Sequence, residues 1–258
     1  MPTGAITDYI DVAQLALYAF WIFFAGLIYY LRREDKREGY PLESDRSGSV
    51  MVQGWPPMPR PKTFLLRDGG IRVVPNAARS NAPIAAEPTG QWPGAPLEPT
   101  GNPMQDGVGP AAYANRPAIP DRTLDNQIKI VPLRVATDFH VEARDPDPRG
   151  MTVVGADGVT GGTVRDAWVD RSEATLRYLE VEVAAPSGPR RVLLPVNFTK
   201  INSGRGQVKV TAILGSQFVA APGLASPDQV TLLEEDRIAA YYASGHLYAT
   251  PSRLGPLV

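Results

Sequence analysis

A chain of 258 residues with 26 basic and 27 acidic side chains has a formal net charge of −1, which leaves no electrostatic footprint for nucleic acid. The absence of cysteine excludes disulfides, thiol catalysis and cysteine metal sites. Two histidines, His140 and His246, are too few for the usual zinc shells.

The first element in chain order is an apolar run. From Val12 to Leu31 the sequence reads VAQLALYAFWIFFAGLIYYL, without a charge and with only Gln14 strongly polar. At about 1.5 Å per residue it spans roughly 30 Å, the thickness of a bilayer's hydrocarbon core. It has no polar face, as a helix at a protein surface would have. A cleaved signal peptide would need a basic start and a small-residue cleavage site, whereas Asp8 and Asp11 precede this run and Tyr-Tyr-Leu-Arg-Arg ends it. No Lys or Arg precedes the run, and Arg32, Arg33, Lys36 and Arg37 crowd its exit. The expected topology is single-pass, with the N-terminus periplasmic and the bulk of the chain cytoplasmic. Tyr29 and Tyr30 fall where an aromatic belt meets headgroups, and the four basic residues could hold anionic lipid, diluted by Glu34, Asp35 and Glu38. Ala25 and Gly26 would let another transmembrane helix approach closely.

Residues 56–120 hold fourteen of the 26 prolines but also Phe64, Leu65, Leu66, Ile71, Val73, Val74, Trp92 and Tyr113, which a free linker would not need. Such a segment is expected to lie extended on a partner surface. Within it KTFLL, RDGG and IRVV read as a short hairpin, with Gly69 or Gly70 supplying a positive φ.

From about Pro132 the pattern turns to short strands. Val153-Val154 precedes the turn Asp157-Gly158, and then come Gly161-Gly162 and TVRDAWV. Leu179, Val181 and Val183 alternate with Tyr178, Glu180 and Glu182, the period of a half-buried strand. Ser187-Gly188 leads to RRVLLPV, and Asn202 to Gly206 leads to QVKVTAI. Strands this closely spaced predict a small barrel or sandwich. One helix should close the domain, started by the capping box Thr231 and Glu234 and ended at Ser244-Gly245, with Ser226-Pro227 marking a turn before it. The expected division is 1–11 periplasmic, 12–31 transmembrane, 32–55 charged and juxtamembrane, 56–131 extended and proline-rich, and 132–258 a β-domain with helix and tail.

No nucleophile elbow, P-loop, zinc-protease helix or dinucleotide fingerprint is present, so an enzyme is not expected, and a membrane-anchored hydrolase lacks its nucleophile–base pair. The one suggestive cluster is Asp170, Arg171, Ser172 and Glu173 leading to Arg177. Extending the strand's alternation backwards puts Arg177 on the face of Leu179 and Val181, where an unpaired guanidinium would cost several kcal/mol unless Asp170 or Glu173 pairs with it. Such a cluster reads either as a structural ion pair at a barrel rim or as a carboxylate relay passing protons to a membrane-embedded acceptor. His140 and His246 are isolated, and Tyr241-Tyr242 reads as core or partner contact.

Several segments together resemble the H subunit of the purple-bacterial photosynthetic reaction centre. They are YYLRREDKREGYPLE, PKTF, PTGNPMQDGVGPAAYA, KIVPLRVATDF, DPRGMTVVGADG, GTVRDAWVDRSEATLRYLEVEV and SPDQVTLLEEDRIAAYYASGHLYATP. The resemblance runs nearly end to end. It implies one transmembrane helix plus a mainly β cytoplasmic domain, a PRC-type small β-barrel with one C-terminal helix. The implied partners are the reaction-centre L and M subunits, with membrane lipids and, further out, a cytochrome subunit and a light-harvesting antenna. Bacteriochlorophyll, bacteriopheophytin, quinones and non-haem iron would sit in the partner subunits, none bound directly by this chain. The implied membrane is the bacterial inner, intracytoplasmic one. The implied role is to cap L and M and to help conduct protons to the secondary quinone through Asp170, Glu173 and Arg177, with Glu235 further out. Some relatives carry surface histidines just before the lysine matching Lys129; here the positions read Asp125-Asn126-Gln127, which makes Asp125 the substitute for proton entry. A reading from another class is a membrane-tethered β-barrel adaptor that recruits a protein partner without photochemistry.

Overall fold

The computed structural model describes residues 4, 6, 11–40, 42–43, 51–66, 69–76, 83–92 and 94–254. Most of the N-terminal flank 1–11, and Arg67 and Asp68 of the expected hairpin turn, lie outside the described residues. The chain forms two compact units, Met1–Ala82 with Gly90–Ala95, and Pro83–Thr89 with Pro96–Val258.

In the first unit, helix α1 covers Val12–Asp35, started by Asp11, whose carboxylate accepts the Gln14 amide at 2.7 Å. It is the one described helix long and apolar enough to cross a membrane, and none of its residues is buried. It continues past Leu31 through Arg32 to Asp35, placing cations in its last turn, where the helix dipole favours them. After it, β1 (Leu42–Glu43) pairs with β2 (Met51–Val52), and β3 (Lys62–Leu65) pairs with β4 (Ile71–Val74). The second pair is the expected hairpin, and Gly69 supplies its positive φ of 81°.

In the second unit, β5 (Ala86–Pro88) pairs with β6 (Leu97–Pro99), and a single helical turn, α2 (Pro103–Asp106), follows. The main sheet contains β7 (Ile130–Pro132), β8 (Thr152–Val154), β9 (Thr160–Asp170), β10 (Thr175–Ala185), β11 (Gly188–Pro195), β12 (Thr199–Asn202) and β13 (Gln207–Val210). Its order is β11-β10-β9-β8-β13-β12, with β7 added on β9 beyond β8. All pairings are antiparallel except β8 with β13. Two register shifts between β9 and β10 bend the sheet, as bulges do. The two outer strands β11 and β12 do not pair with each other, so the expected small barrel is an open one. Val164, Leu179, Val181, Val192, Leu194 and Val208 are fully enclosed inside it. Each such side chain contributes about 1.5–3 kcal/mol on leaving water.

Helix α3 (Leu232–Tyr248) closes the unit. Both halves of the Thr231–Glu234 capping box form: the Thr231 amide donates to Glu234 at 2.8 Å and the Glu234 amide to Thr231 Oγ1 at 3.2 Å. The expected end at Ser244-Gly245 is not where the helix stops. The Ser244 hydroxyl donates to the Tyr241 carbonyl at 2.7 Å, and the helix runs on to Tyr248; position 245 in its last turn is glycine because a Cβ there would run into the Ala212 carbonyl and Ile213. Gly245→Val should therefore destabilise the protein by about 1–3 kcal/mol through overpacking, seen as a lowered melting temperature of the detergent-solubilised full chain by circular dichroism.

Candidate functional site

Asp170 ends β9 with its side chain 1% exposed. One carboxylate oxygen accepts the backbone amides of Ser172 at 2.9 Å and Glu173 at 3.2 Å, a turn that shapes the tight β9–β10 connection. The other oxygen takes no hydrogen bond and faces the Lys129 ammonium at 3.5 Å, a charge contact longer than an ordinary hydrogen bond. Lys129 is equally close, 3.5 Å, to Asp121. Burial pulls the Lys129 ammonium's pKa down, but the charges of Asp170 and Asp121 outweigh that and hold it above its ordinary value.

The neighbouring residues are more exposed. Glu173 lies in the turn with its side chain 56% exposed, and Arg177 approaches it at 3.9 Å, 46% exposed. The alternation that put Arg177 on the apolar face is broken by a bulge. Leu176 pairs with Val169 and Tyr178 with Trp168, so Arg177 is the extra residue and swings to solvent. The guanidinium is therefore not a buried charge. Asp125 is exposed in a turn whose next residue, Asn126, has φ +62°.

Tyr178 keeps the face opposite Leu179, where alternation places it, yet is only 5% exposed because α3 lies over that face. Its hydroxyl donates to Glu235 in the first turn of α3 at 3.1 Å. Burial raises the Glu235 pKa above the ordinary carboxylate range and Asp121 adds to this, while the Tyr178 hydrogen bond and the charges of Arg177 and Arg116 oppose it. A strap, residues 119–130, connects the two ends of this cluster. Pro120 bridges to Thr231, the Leu232 amide donates to the Ile119 carbonyl at 2.9 Å, and Ile130 pairs with Asp170. The fold thus gathers Asp170, Glu173, Arg177 and Glu235 around Asp121, Lys129 and Tyr178. Asp121 and Tyr178 carry no sequence signal of their own, and Lys129 figures in the sequence only as the lysine that the resemblance matches.

A second carboxylate group in this unit was missed. Glu180 is 2% exposed and accepts from Arg191 at 2.6 Å, Arg134 at 2.7 Å and the Trp168 indole at 3.0 Å. Arg134 also reaches Asp166 at 3.1 Å and Asp228 at 3.0 Å. Alternation puts Glu180 on the face opposite Leu179 and Val181, so its neighbours in the chain do not foretell its enclosure. His246 lies against the Phe198 ring at 5.9 Å between centroids, and His140 lines an open cavity of about 510 Å³ with Arg149 and Arg165. The described residues hold no cluster of His, Asp or Glu placed to bind a metal ion.

In the first unit the basic exit of α1 divides. Tyr29, Tyr30 and Arg32 are exposed, whereas Lys36 and Arg37 are turned inward, 1% and 9% exposed. Lys36 donates to the carbonyls of Gln53 at 2.5 Å and Pro56 at 2.6 Å; Arg37 donates to those of Arg60 at 2.8 Å and Val74 at 3.0 Å and pairs with Glu34. These two cations hold their own chain together instead of reaching outward as expected. Arg33 is half-buried, and its Nε has no hydrogen-bond partner.

Glu235 binds its proton more tightly in the fold than in an unfolded chain. The folded state therefore holds more protons, and stability falls as pH rises from the ordinary glutamate value, about 4.3, through the raised folded value. Glu235→Gln should flatten that slope. The carbonyl band of a protonated carboxyl in the infrared should persist above the ordinary glutamate range in the parent chain, vanish in Glu235→Gln and extend to higher pH in Tyr178→Phe.

Residues 4–135 match the photosynthetic reaction centre H-chain N-terminal region, and residues 140–217 match the PRC-barrel domain. The first match takes in α1, the hairpin and the strap that carries Asp121 and Lys129; the second takes in β8 to β13 with Asp170, Glu173 and Arg177. Over half of the chain lies in the first match alone, and the chain belongs to the family of photosynthetic reaction-centre H chains.

Proposed function

We propose that this chain is the non-catalytic H subunit that caps the L and M subunits of a reaction centre on the cytoplasmic side. In this reading it stabilises the complex and helps conduct protons to the secondary quinone during light-driven electron transfer. The basic residues after α1 and their absence before it support an N-terminus in the periplasm of a bacterial inner membrane. The pigments, quinones and non-haem iron belong to the partner subunits, and this chain contributes side chains that take up and pass protons. Tyr29, Tyr30, Arg32 and Arg33 would meet headgroups; Lys36 and Arg37 shape the exit from within.

The observation that carries the proton role is the graded burial around Asp170. Exposed Asp125 and Glu173 can exchange protons with water, and Asp170 is enclosed, with one oxygen facing only the Lys129 ammonium. Glu235, with its raised proton affinity, adds a group able to hold a proton nearer neutrality. Lys129 and Arg177 keep negative charge affordable along such a path.

Glu173→Gln and Asp170→Asn should each slow the proton-coupled transfer of the second electron to quinone after paired flashes, by roughly tenfold or more, the scale on which a lost proton-transfer group acts. The first-electron transfer should keep its rate. Unchanged second-electron rates in an intact complex would remove these residues from the path. The near-infrared spectrum of the gently solubilised, affinity-purified chain tests the assembly itself: bacteriochlorophyll bands with two co-purified hydrophobic subunits are expected, and a colourless preparation would favour an adaptor.

A further inference from the structure

Arg237, on α3, carries a charge that the fold leaves unmatched. Arg134, Arg165 and Arg191 each pair with a carboxylate. Arg237 forms no hydrogen bond or ion pair among the described residues; its guanidinium sits over the Tyr113 ring, 5.1 Å from the centroid. The acids just before it on α3 are engaged elsewhere: Glu234 with Thr231, Glu235 with Tyr178 and Asp236 with Arg116. A guanidinium carries a fork of N–H donors, and a ring face beneath it leaves that fork for an acceptor.

That fork stands at a cavity of about 560 Å³ in the second unit. The walls come from separate parts of the chain: Met104 of α2, Ala111, Ala220, Pro222 and, one turn after Arg237 on the same face of α3, Tyr241. Met104 and Ala111 are buried, and the Tyr241 hydroxyl is already taken, donating to the Gln217 carbonyl at 2.8 Å. An apolar floor with few placed polar groups is the usual make-up of a small-molecule site of this size. Among the described residues that line it, Arg237 is the one that carries a charge. One cation over an apolar floor sets the class of ligand. A polyphosphate would call for further cations, and an uncharged molecule would leave the guanidinium unused. We propose that this cavity binds a monoanionic amphiphile of the fatty-acid kind. Its carboxylate takes paired N–H bonds from Arg237, and its chain lies on Met104, Ala111 and Pro222. Bound in this way, it ties α2 and the loop after it to α3.

The site is built from the second unit alone, so the inference stands or falls apart from the reaction-centre reading. The probe is decanoate with a terminal diazirine, compared with the matching alcohol, on the full chain in lipid nanodiscs. After irradiation, adducts are mapped by peptide mass spectrometry, and label on α1 reports probe dissolved in the lipid. The carboxylate should label residues 104–113, 220–222 or 241 several-fold more than the alcohol does. Arg237→Gln should lose that excess, and Arg237→Lys should recover part of it. The comparison of head groups is made on the unaltered chain and does not depend on either variant folding. Equal labelling by acid and alcohol, an excess that survives Arg237→Gln, or label confined to α1 would each overturn the proposal.

Discussion

Strand β10 is covered on both faces, and much of the second unit follows from that constraint. Leu179, Val181 and Val183 point into the core, while Tyr178 and Glu180 point into a second layer formed by α3, the strap and Arg134. A carboxylate enclosed in that layer must be paired and hydrogen-bonded or it would cost several kcal/mol. Glu180 meets the condition with three donors, Asp166 by sharing Arg134, and Asp170 with two amides and the Lys129 charge. Removing one partner from such a group leaves the other uncompensated, which is why networks of this kind are resistant to piecemeal change.

The anchor's exit follows similar logic with the signs reversed. Lys36 is nearly sealed from water with no carboxylate within bonding distance among the described residues, and its charge is dispersed over two carbonyl dipoles and the Tyr40 ring at 5.2 Å. Arg37 fixes the two ends of the hairpin by accepting nothing and donating to both strands' flanks. The proline-rich segment after residue 56 thereby draws part of its order from its own helix end. Proline suits this use, since it loses little conformational freedom on ordering and leaves carbonyls free to accept.

Local chemistry was legible in the sequence wherever a few adjacent residues decide the structure. The apolar run, the Gly69 turn, the Asp157-Gly158 turn and the Thr231–Glu234 cap all appear where their residues predict them. Features set by distant neighbours were not. The bulge at Arg177 breaks the parity of β10, so alternation counted back from Leu179 sends Arg177 to the wrong face. Gly245 resembled a helix stop because glycine commonly is one, yet its role is set by the Ala212 carbonyl, thirty-odd residues earlier. Lys36 and Arg37 looked like surface cations because their acceptors are carbonyls, which every residue carries and no pattern reveals. Asp170, Glu173 and Arg177 stand out as a cluster in the residues themselves; the resemblance supplied only the preference for a proton path over a structural ion pair.

The strap at 119–130 is held at both ends: Ile119 and Pro120 at the start of α3, and Ile130 on β9 with Lys129 beside it between two carboxylates. Its two ends are thereby fixed, while Leu124 and Asp125 between them stand in water. The amides and the ammonium that meet the Asp170 carboxylate are set in place by the fold, so its surroundings are organised in advance. The second end of the strap is thus less a hinge than a fixed wall, holding the Lys129 ammonium opposite the enclosed Asp170 carboxylate.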